Sequence, residues 1–309
     1  MRLLSAFFLL SFLASPSQGA SGFAGEFLAV GAGARAMALG NSFVALSQDA
    51  TAGYWNPAGL AALEGRQVHL THAERFSGLV DQDFIALAVP GPFFDGMAFS
   101  LLRLGVGDIE FTELQDPTRP IGADNRPVVA STETSADYAF YLSGGRRLGD
   151  RLALGISGKL IYRSVGPFSA YGAGLDLGLR YTLAPGFTLA ATVRDLSTTP
   201  IVWDTDTTDR INPAMLLGLA YSRPLAGGKL SATLASRSGG DASDAADQTP
   251  LNTGVEYSVG RLALRAGLEE SRTALGLGLR VRRGLDIDVA YLQHDELEAT
   301  YLLSAGFRF

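Results

Sequence analysis

The 309-residue sequence contains no cysteine. That removes a disulfide framework, a thiolate metal site and a lipid-bearing cysteine behind an export signal, and leaves stability to burial and backbone hydrogen bonding. Histidine is scarce as well: His69, His72 and His294. The first two stand three apart on an expected strand and so point to opposite faces, which prevents joint ligation of a metal. A Gly-x-Ser-x-Gly elbow is also missing. Neither a catalytic residue, a metal site nor a cofactor site is assigned, and the chain is not read as an enzyme. Basic residues number 25 against 31 acidic ones, a net charge of −6 with no basic stripe, which argues against nucleic acid as a partner.

Long apolar runs are also lacking beyond the N-terminus. Met1-Arg2, the apolar stretch Leu3 to Leu13 and the small-residue region Ser17-Gln18-Gly19-Ala20 read as a signal peptide over residues 1–20. No later segment approaches the ~20 apolar residues of a membrane helix, so an exported chain that stays in a membrane does so as a barrel. A secreted β-sandwich is the soluble alternative.

The periodicity decides between them. From Arg66 onward, apolar and polar residues alternate in segments of about ten, separated by Gly, Asp, Pro and Ser clusters. In Tyr171 to Tyr181 one face carries Tyr171, Ala173, Leu175, Leu177, Leu179 and Tyr181, and the other carries glycine, Asp176 and Arg180. An aliphatic band with an aromatic at each end suits two membrane interfaces. Repetition of the pattern gives about fourteen strands in residues 65–309, with roughly 17 residues each for wall and connection. A sandwich does not require the second face to be small and of mixed charge in strand after strand. The reading is an all-β membrane protein: a 14-stranded antiparallel outer-membrane β-barrel in the bacterial outer membrane, facing outer-membrane lipid. Short links such as 148–151 suit periplasmic turns, and the long polar stretches 113–134, 197–210 and 237–250 are expected outside.

Residues 21–64 fit neither strand nor soluble helix and read as a hatch that fills the lumen. Gly31, Gly33 and Gly40 permit positive φ, Asp49 caps a short turn ending at Trp55, and Asn56 caps another that begins at Pro57. Gly31-Ala32-Gly33 lacks the preceding strand and following acidic residue of a dinucleotide loop. Phe27, Phe43, Tyr54 and Trp55 are candidates to line an apolar pocket under the outer loops. In the third strand, Met97, Phe99 and Leu101 follow one phase and Leu102, Leu104 and Val106 the other. A bulge between Leu101 and Gly107 is therefore expected, with Gly105 and Gly107 inward, as a candidate lateral gate. Asp286 and Asp288 are inward and about 7 Å apart along their strand. With Arg280 and Arg308 on the flanking strands they read as a lumen charge ladder rather than a glycosidase pair.

The segment GARAMALGNSFVALSQDATAGYWNPAGLA, through Arg35, Gly40, Asp49 to Ala52 and Asn56, Pro57, Ala58, Gly59 and Leu60, resembles the N-terminal signature of the PorV/PorQ family within the FadL-like outer-membrane proteins. The resemblance covers about a tenth of the chain. It implies a hatch inside a 14-stranded barrel, and an accessory of type IX secretion with secretion-machinery proteins and exported clients as partners, docked on loops 116–125 and 205–210. The alternative is a FadL-like transporter of hydrophobic small molecules, whose cargo displaces the hatch and leaves sideways at a kinked third strand.

Overall fold

The computed structural model describes residues 24–240, 250–282, 284–294 and 297–309; the signal-peptide expectation lies outside these residues. Fourteen of its sixteen strands form a closed antiparallel barrel. The wall runs β1 (Gln67–Arg75), β2 (Val80–Val89), β3 (Gly96–Leu114), β4 (Pro127–Leu148), β5 (Leu152–Val165), β6 (Phe168–Ala184) and β7 (Phe187–Arg194). After a hairpin of β8 (Thr199–Trp203) and β9 (Thr208–Ile211), it continues with β10 (Ala214–Leu225), β11 (Gly228–Gly239), β12 (Leu251–Val259) and β13 (Leu262–Glu269). The wall ends with β14 (Arg272–Arg282), β15 (Leu285–Leu292) and β16 (Thr300–Arg308), and β16 closes on β1 from Gln67↔Arg308 to Glu74↔Tyr301. Closure satisfies every ladder and leaves no edge in the wall, the condition for crossing a bilayer with strands.

Outward positions carry Leu142, Leu160, Leu175, Leu264, Leu277, Leu303 and similar side chains, all exposed. Such a continuous apolar band is stable only against lipid. Aromatic pairs bracket it. Tyr138, Tyr162 and Tyr171 occupy adjacent strands with ring centroids 6.0 and 5.1 Å apart, and Tyr291 pairs with Tyr301 at 5.6 Å. At the opposite end Phe187 stacks on Tyr221 at 4.3 Å. The turns at this second end, among them 149–151, 185–186, 226–227 and 260–261, are short, and Phe309 meets Arg66 there. This is the periplasmic end of an outer-membrane barrel.

Of the three stretches expected outside, 237–250 lies mostly outside the described residues, and the other two contain regular structure. Within 113–134 only 115–126 is loop, because β3 and β4 continue as a ribbon past the ends of their neighbours. The stretch 197–210 holds β8 and β9, which extend the wall beside β6 through Ala170↔Trp203 and Gly172↔Ile201. A buried network holds this hairpin: Lys159 Nζ lies 2.8 Å from carboxylate oxygens of both Asp176 and Asp195, and Thr199 donates to Asp195 at 2.5 Å.

The third strand corrects one expectation. Leu101 pairs with Ile85 and Phe140 and Gly105 with Asp81 and Ala136 in unbroken ladders; the register shifts between Val106 and Ile109, at Gly107-Asp108. The phase does not flip at Leu102. Leu102 and Leu104 face inward because the lumen here is apolar and they pack on the hatch, whereas Gly105 shares the outward face with Arg103. The bulge thus lies beyond the Asp81 end of the β2 ladder, outside the level where Arg103 pairs with Tyr138 of the outer aromatic row.

Candidate functional site

Residues 24–64 lie inside the barrel as short turns: a 3-10 turn at Glu26–Leu28, α1 (Ala34–Met37), α2 (Ala52–Trp55) and a second 3-10 turn at Pro57–Ala62. Small side chains let this segment coil tightly, and nearly all of it from Ala32 to Ala61 is buried. Two glycine ledges of the wall receive its backbone. Gly145, Gly155 and Gly178 are paired neighbours on β4, β5 and β6. A Cβ on Gly155 would stand 2.2 Å from Ala58 N, and one on Gly178 would stand 2.2 Å from Asn56 Oδ1. Across the lumen, Gly254 and Gly267 leave room for Leu39 and Gly40 in the same way. Glycine is needed at these positions for close approach, not for its dihedral freedom.

The motif residues act as fasteners. Asn56 is fully buried; its Oδ1 accepts from Ala58 N at 3.0 Å, capping the turn that starts at Pro57, and its Nδ2 donates to Leu179 O of the wall at 3.1 Å. Gly59 has no room for a side chain, with Ser47 O 2.0 Å from the ideal Cβ position. Asp49 accepts from Thr51 N and Oγ1 at 2.9 and 2.6 Å. Arg35 donates through Nε and Nη2 to both oxygens of Glu256 at 2.8 Å each, and its Nη1 lies 3.8 Å from Asp49. Burial pulls the Arg35 guanidinium down, but Glu256 and Asp49 outweigh that and hold it above its ordinary value. Arg265 continues the chain of charges, donating to Glu256 and Asp288 at 2.6 Å each.

Above these fasteners, toward the long loops, lies an apolar core. Tyr54 is at its centre, edge-on to Trp55 at 5.1 Å and to Phe84 and Tyr141 at 6.0 Å. Phe43 meets Trp55 at 6.1 Å, while Phe27 lies under the Arg163 guanidinium at 5.3 Å. Leu102, Ile161, Ile201 and Ile211 complete the cluster. The polar tips are satisfied: Tyr54 donates to Leu28 O at 2.8 Å and accepts from Gly31 N at 3.0 Å, and Trp55 donates to Ala32 O at 2.8 Å. Arg194 stacks on Tyr54 at 4.6 Å. Phe27, Phe43, Tyr54 and Trp55 are therefore brought together, but each is no more than 3% exposed and they fill the space between them. The wall partners Phe84, Tyr141, Ile161 and Ile201 are inward residues set among small and polar ones, such as Ala86, Gln82, Ser157 and Lys159, and only pairing register brings them to one level.

Below the hatch, at the periplasmic end, a cavity of about 820 Å³ separates the plug from β6 through β16. Asp286 accepts from Arg280 at 3.2 Å and Arg308 at 2.6 Å. Asp288 belongs instead to the Arg265 chain. His69 also faces this cavity, with Nε2 3.0 Å from Thr71 Oγ1, whereas His72 is on the outer face beside Asp83. Among the described residues, no three His, Asp or Glu side chains are grouped to hold a metal. The arrangement is a packed apolar core toward the long loops, built by plug and wall together, above an ionic chamber at the periplasmic end.

No protein-family model matches the sequence, and no curated protein does. Solved structures do. The toluene transporter TodX of P. putida superimposes with a TM-score of 0.60 at 14% identity, covering 90% of this chain and 99% of its own. The Ralstonia pickettii toluene transporter TbuX gives 0.59 at 13%, over 90% and 98%. A Pseudomonas aeruginosa FadL homologue gives 0.50 at 13%, over 88% and 96%. The chain shares the barrel fold of these structures. Identities this low establish architecture alone; the membrane setting follows from the lipid-facing band, and cargo has to be argued from the lumen.

Proposed function

We propose that the protein carries apolar small molecules, of the size of a monoaromatic hydrocarbon, across the outer membrane, making and breaking no bond. The observation that carries this reading is the aromatic core around Tyr54, assembled half from the hatch and half from the wall directly beneath the long loops. A flat apolar solute that replaces one of these rings gains the same edge-to-face contacts, worth roughly 0.5–1.5 kcal/mol per pair beyond burial. Because the rings belong to two separable parts, cargo entry and hatch movement are the same event. The solved toluene transporters of this fold support the size class. This reading takes a sideways exit either past the β3 edge above Gly105, where β2 has ended, or between the upper β2–β3 pairs. The secretion-accessory reading, with docking on loops 116–125 and 205–210, draws no support from these comparisons.

The test is uptake of radiolabelled toluene by cells that lack their own toluene transporter, with and without this protein in the outer membrane. Faster saturable accumulation is expected, lowered by Tyr54→Ala. Equal accumulation with and without the folded barrel defeats the proposal.

A further inference from the structure

The lower chamber has an imbalance that transport of a neutral solute does not use. Seven cationic side chains and five carboxylates line it. Four of the carboxylates are committed: Glu256 and Asp49 to Arg35, Asp288 to Arg265, and Asp286 to Arg280 and Arg308. The fifth, Glu64 at the end of the hatch, makes no ion pair among the described residues. Among the described residues, three of the lining cations have no carboxylate partner: Arg180, Lys229 and Arg261.

These three lie on one arc of the rim, from β6 to the β12–β13 turn, and the hydroxyls of Thr188, Ser222 and Ser258 lie between them on β7, β10 and β12. Arg180 is half-buried and finds only neutral partners: Thr188 Oγ1 at 3.4 Å and the Gln48 amide, once its oxygen is turned to face the guanidinium. Lys229 and Arg261 are exposed at the mouth. On the opposite arc the same kind of cation pair, Arg280 and Arg308, is bridged by Asp286. The first arc carries donors and positive charge where the second carries a carboxylate. Its own inward acid, Glu256, is already held by Arg35 and Arg265.

We propose that this arc of the periplasmic vestibule is a binding site for an oxyanion of the phosphate class, free or as the phosphate of a lipid headgroup. The bound anion brings to the arc of Arg180, Lys229 and Arg261 the negative charge that Asp286 brings to Arg280 and Arg308. Concave walls and partial exclusion of water strengthen the attraction relative to an open surface, and multiple charge-assisted bonds give it geometry.

The experiment is a calorimetric titration of inorganic phosphate into the full-length protein, purified in a zwitterionic detergent at low ionic strength. A parallel titration uses dihexanoyl phosphatidic acid. Barrel integrity of every variant is checked by the migration of unheated samples on gels. Saturable phosphate binding is expected, weakened at least about tenfold in the Arg180→Gln/Lys229→Gln/Arg261→Gln variant, which amounts to about 1.4 kcal/mol. Asp286→Asn, which releases Arg280 and Arg308 on the other arc, is expected to tighten it severalfold. Tighter binding of the phosphatidic acid identifies a headgroup as the source, and tighter binding of inorganic phosphate a free anion. No saturable binding of either probe, or binding unchanged in the triple variant and in Asp286→Asn, overturns the proposal.

Discussion

Gly155→Ala tests whether the hatch is seated by backbone contact with the wall. The added methyl would stand 2.2 Å from Ala58 N and from Pro57 C, and 2.6 Å from Pro57 O. Ordinary contact needs about 3.5–4.0 Å, so more than roughly 1 Å of relief is required. The wall does not supply it, because β5 is laddered on both sides through Gly145 and Gly178. The turn at Pro57 has to move, at an overpacking cost of about 1–3 kcal/mol. Movement also breaks the Asn56 Nδ2 bonds to Leu179 O and Val44 O, and a buried amide left unpaired costs a further ~1–3 kcal/mol. Together these reach roughly 2–6 kcal/mol, enough to favour an unseated hatch while leaving the lipid-facing wall untouched. Conductance in planar bilayers reads the result: the variant should show persistent open-channel current where the native protein shows little. Gly158→Ala is the control on the same strand; its methyl faces outward and meets only Leu175 Cδ2 at 3.9 Å. Equal conductance for Gly155→Ala and the native protein, or the same current from both variants, refutes the ledge argument.

Three further outcomes are expected. Glu256→Gln removes the anion between Arg35 and Arg265, both held in the lumen at 2.6–2.8 Å, and should destabilise hatch seating by about 3–5 kcal/mol, the cost of breaking a buried pair from one side; trypsin cleavage after Arg35 in the folded barrel is the readout, and continued resistance contradicts it. Gly107→Val meets nothing within 4 Å, so the wall tolerates it; slowed toluene uptake at unchanged barrel stability would place the exit at the bulge, and unchanged uptake would remove the exit from there. In the loop between β3 and β4, Asp116 accepts from Thr118 Oγ1 and N, which holds its carboxyl below the ordinary range. The turn's stabilisation is therefore complete above the unfolded value of about 3.9 and is lost as pH falls through the lower folded value; amide exchange at Thr118 should accelerate only below that point.

The wall was legible because lipid enforces the simplest rule in the sequence. Leu175, Leu177 and Leu179 must all face hydrocarbon, so their period of two survives every local demand. The rule failed at Leu102 and Leu104, where the lumen is apolar and an inward leucine is favourable; two apolar faces in one strand look from sequence alone like a change of phase. Asn56 and Pro57 announced a capped turn, since capping is local. Their seats did not: Gly145, Gly155 and Gly178 become one ledge only through register between strands. Arg35 and Glu256 are 221 residues apart, and nothing along the chain marks one as the partner of the other. The same holds for Phe84, Tyr141 and Ile201, which meet Tyr54 only once the barrel has closed.

The apolar core and the ionic chamber constrain the route that any apolar cargo can take. A solute with the surface of an aromatic side chain, about 150–250 Å², loses roughly 4–6 kcal/mol of burial if it passes from the Tyr54 core into the ion-lined lower chamber. Unseating the hatch opens that path geometrically but makes it energetically poor. Passage through the wall avoids the loss, because hydrocarbon lies outside. Yet β2 and β3 are joined without interruption from Asp81↔Gly105 to Val89↔Met97, so no opening exists within the lipid-facing band of this conformation. Cargo that leaves sideways must therefore either rise to the edge above Gly105, where the ladder has already ended, or separate the upper β2–β3 pairs as the hatch moves. Leu102 couples these steps, since one side chain belongs both to the hatch-packed core and to the strand that would have to open.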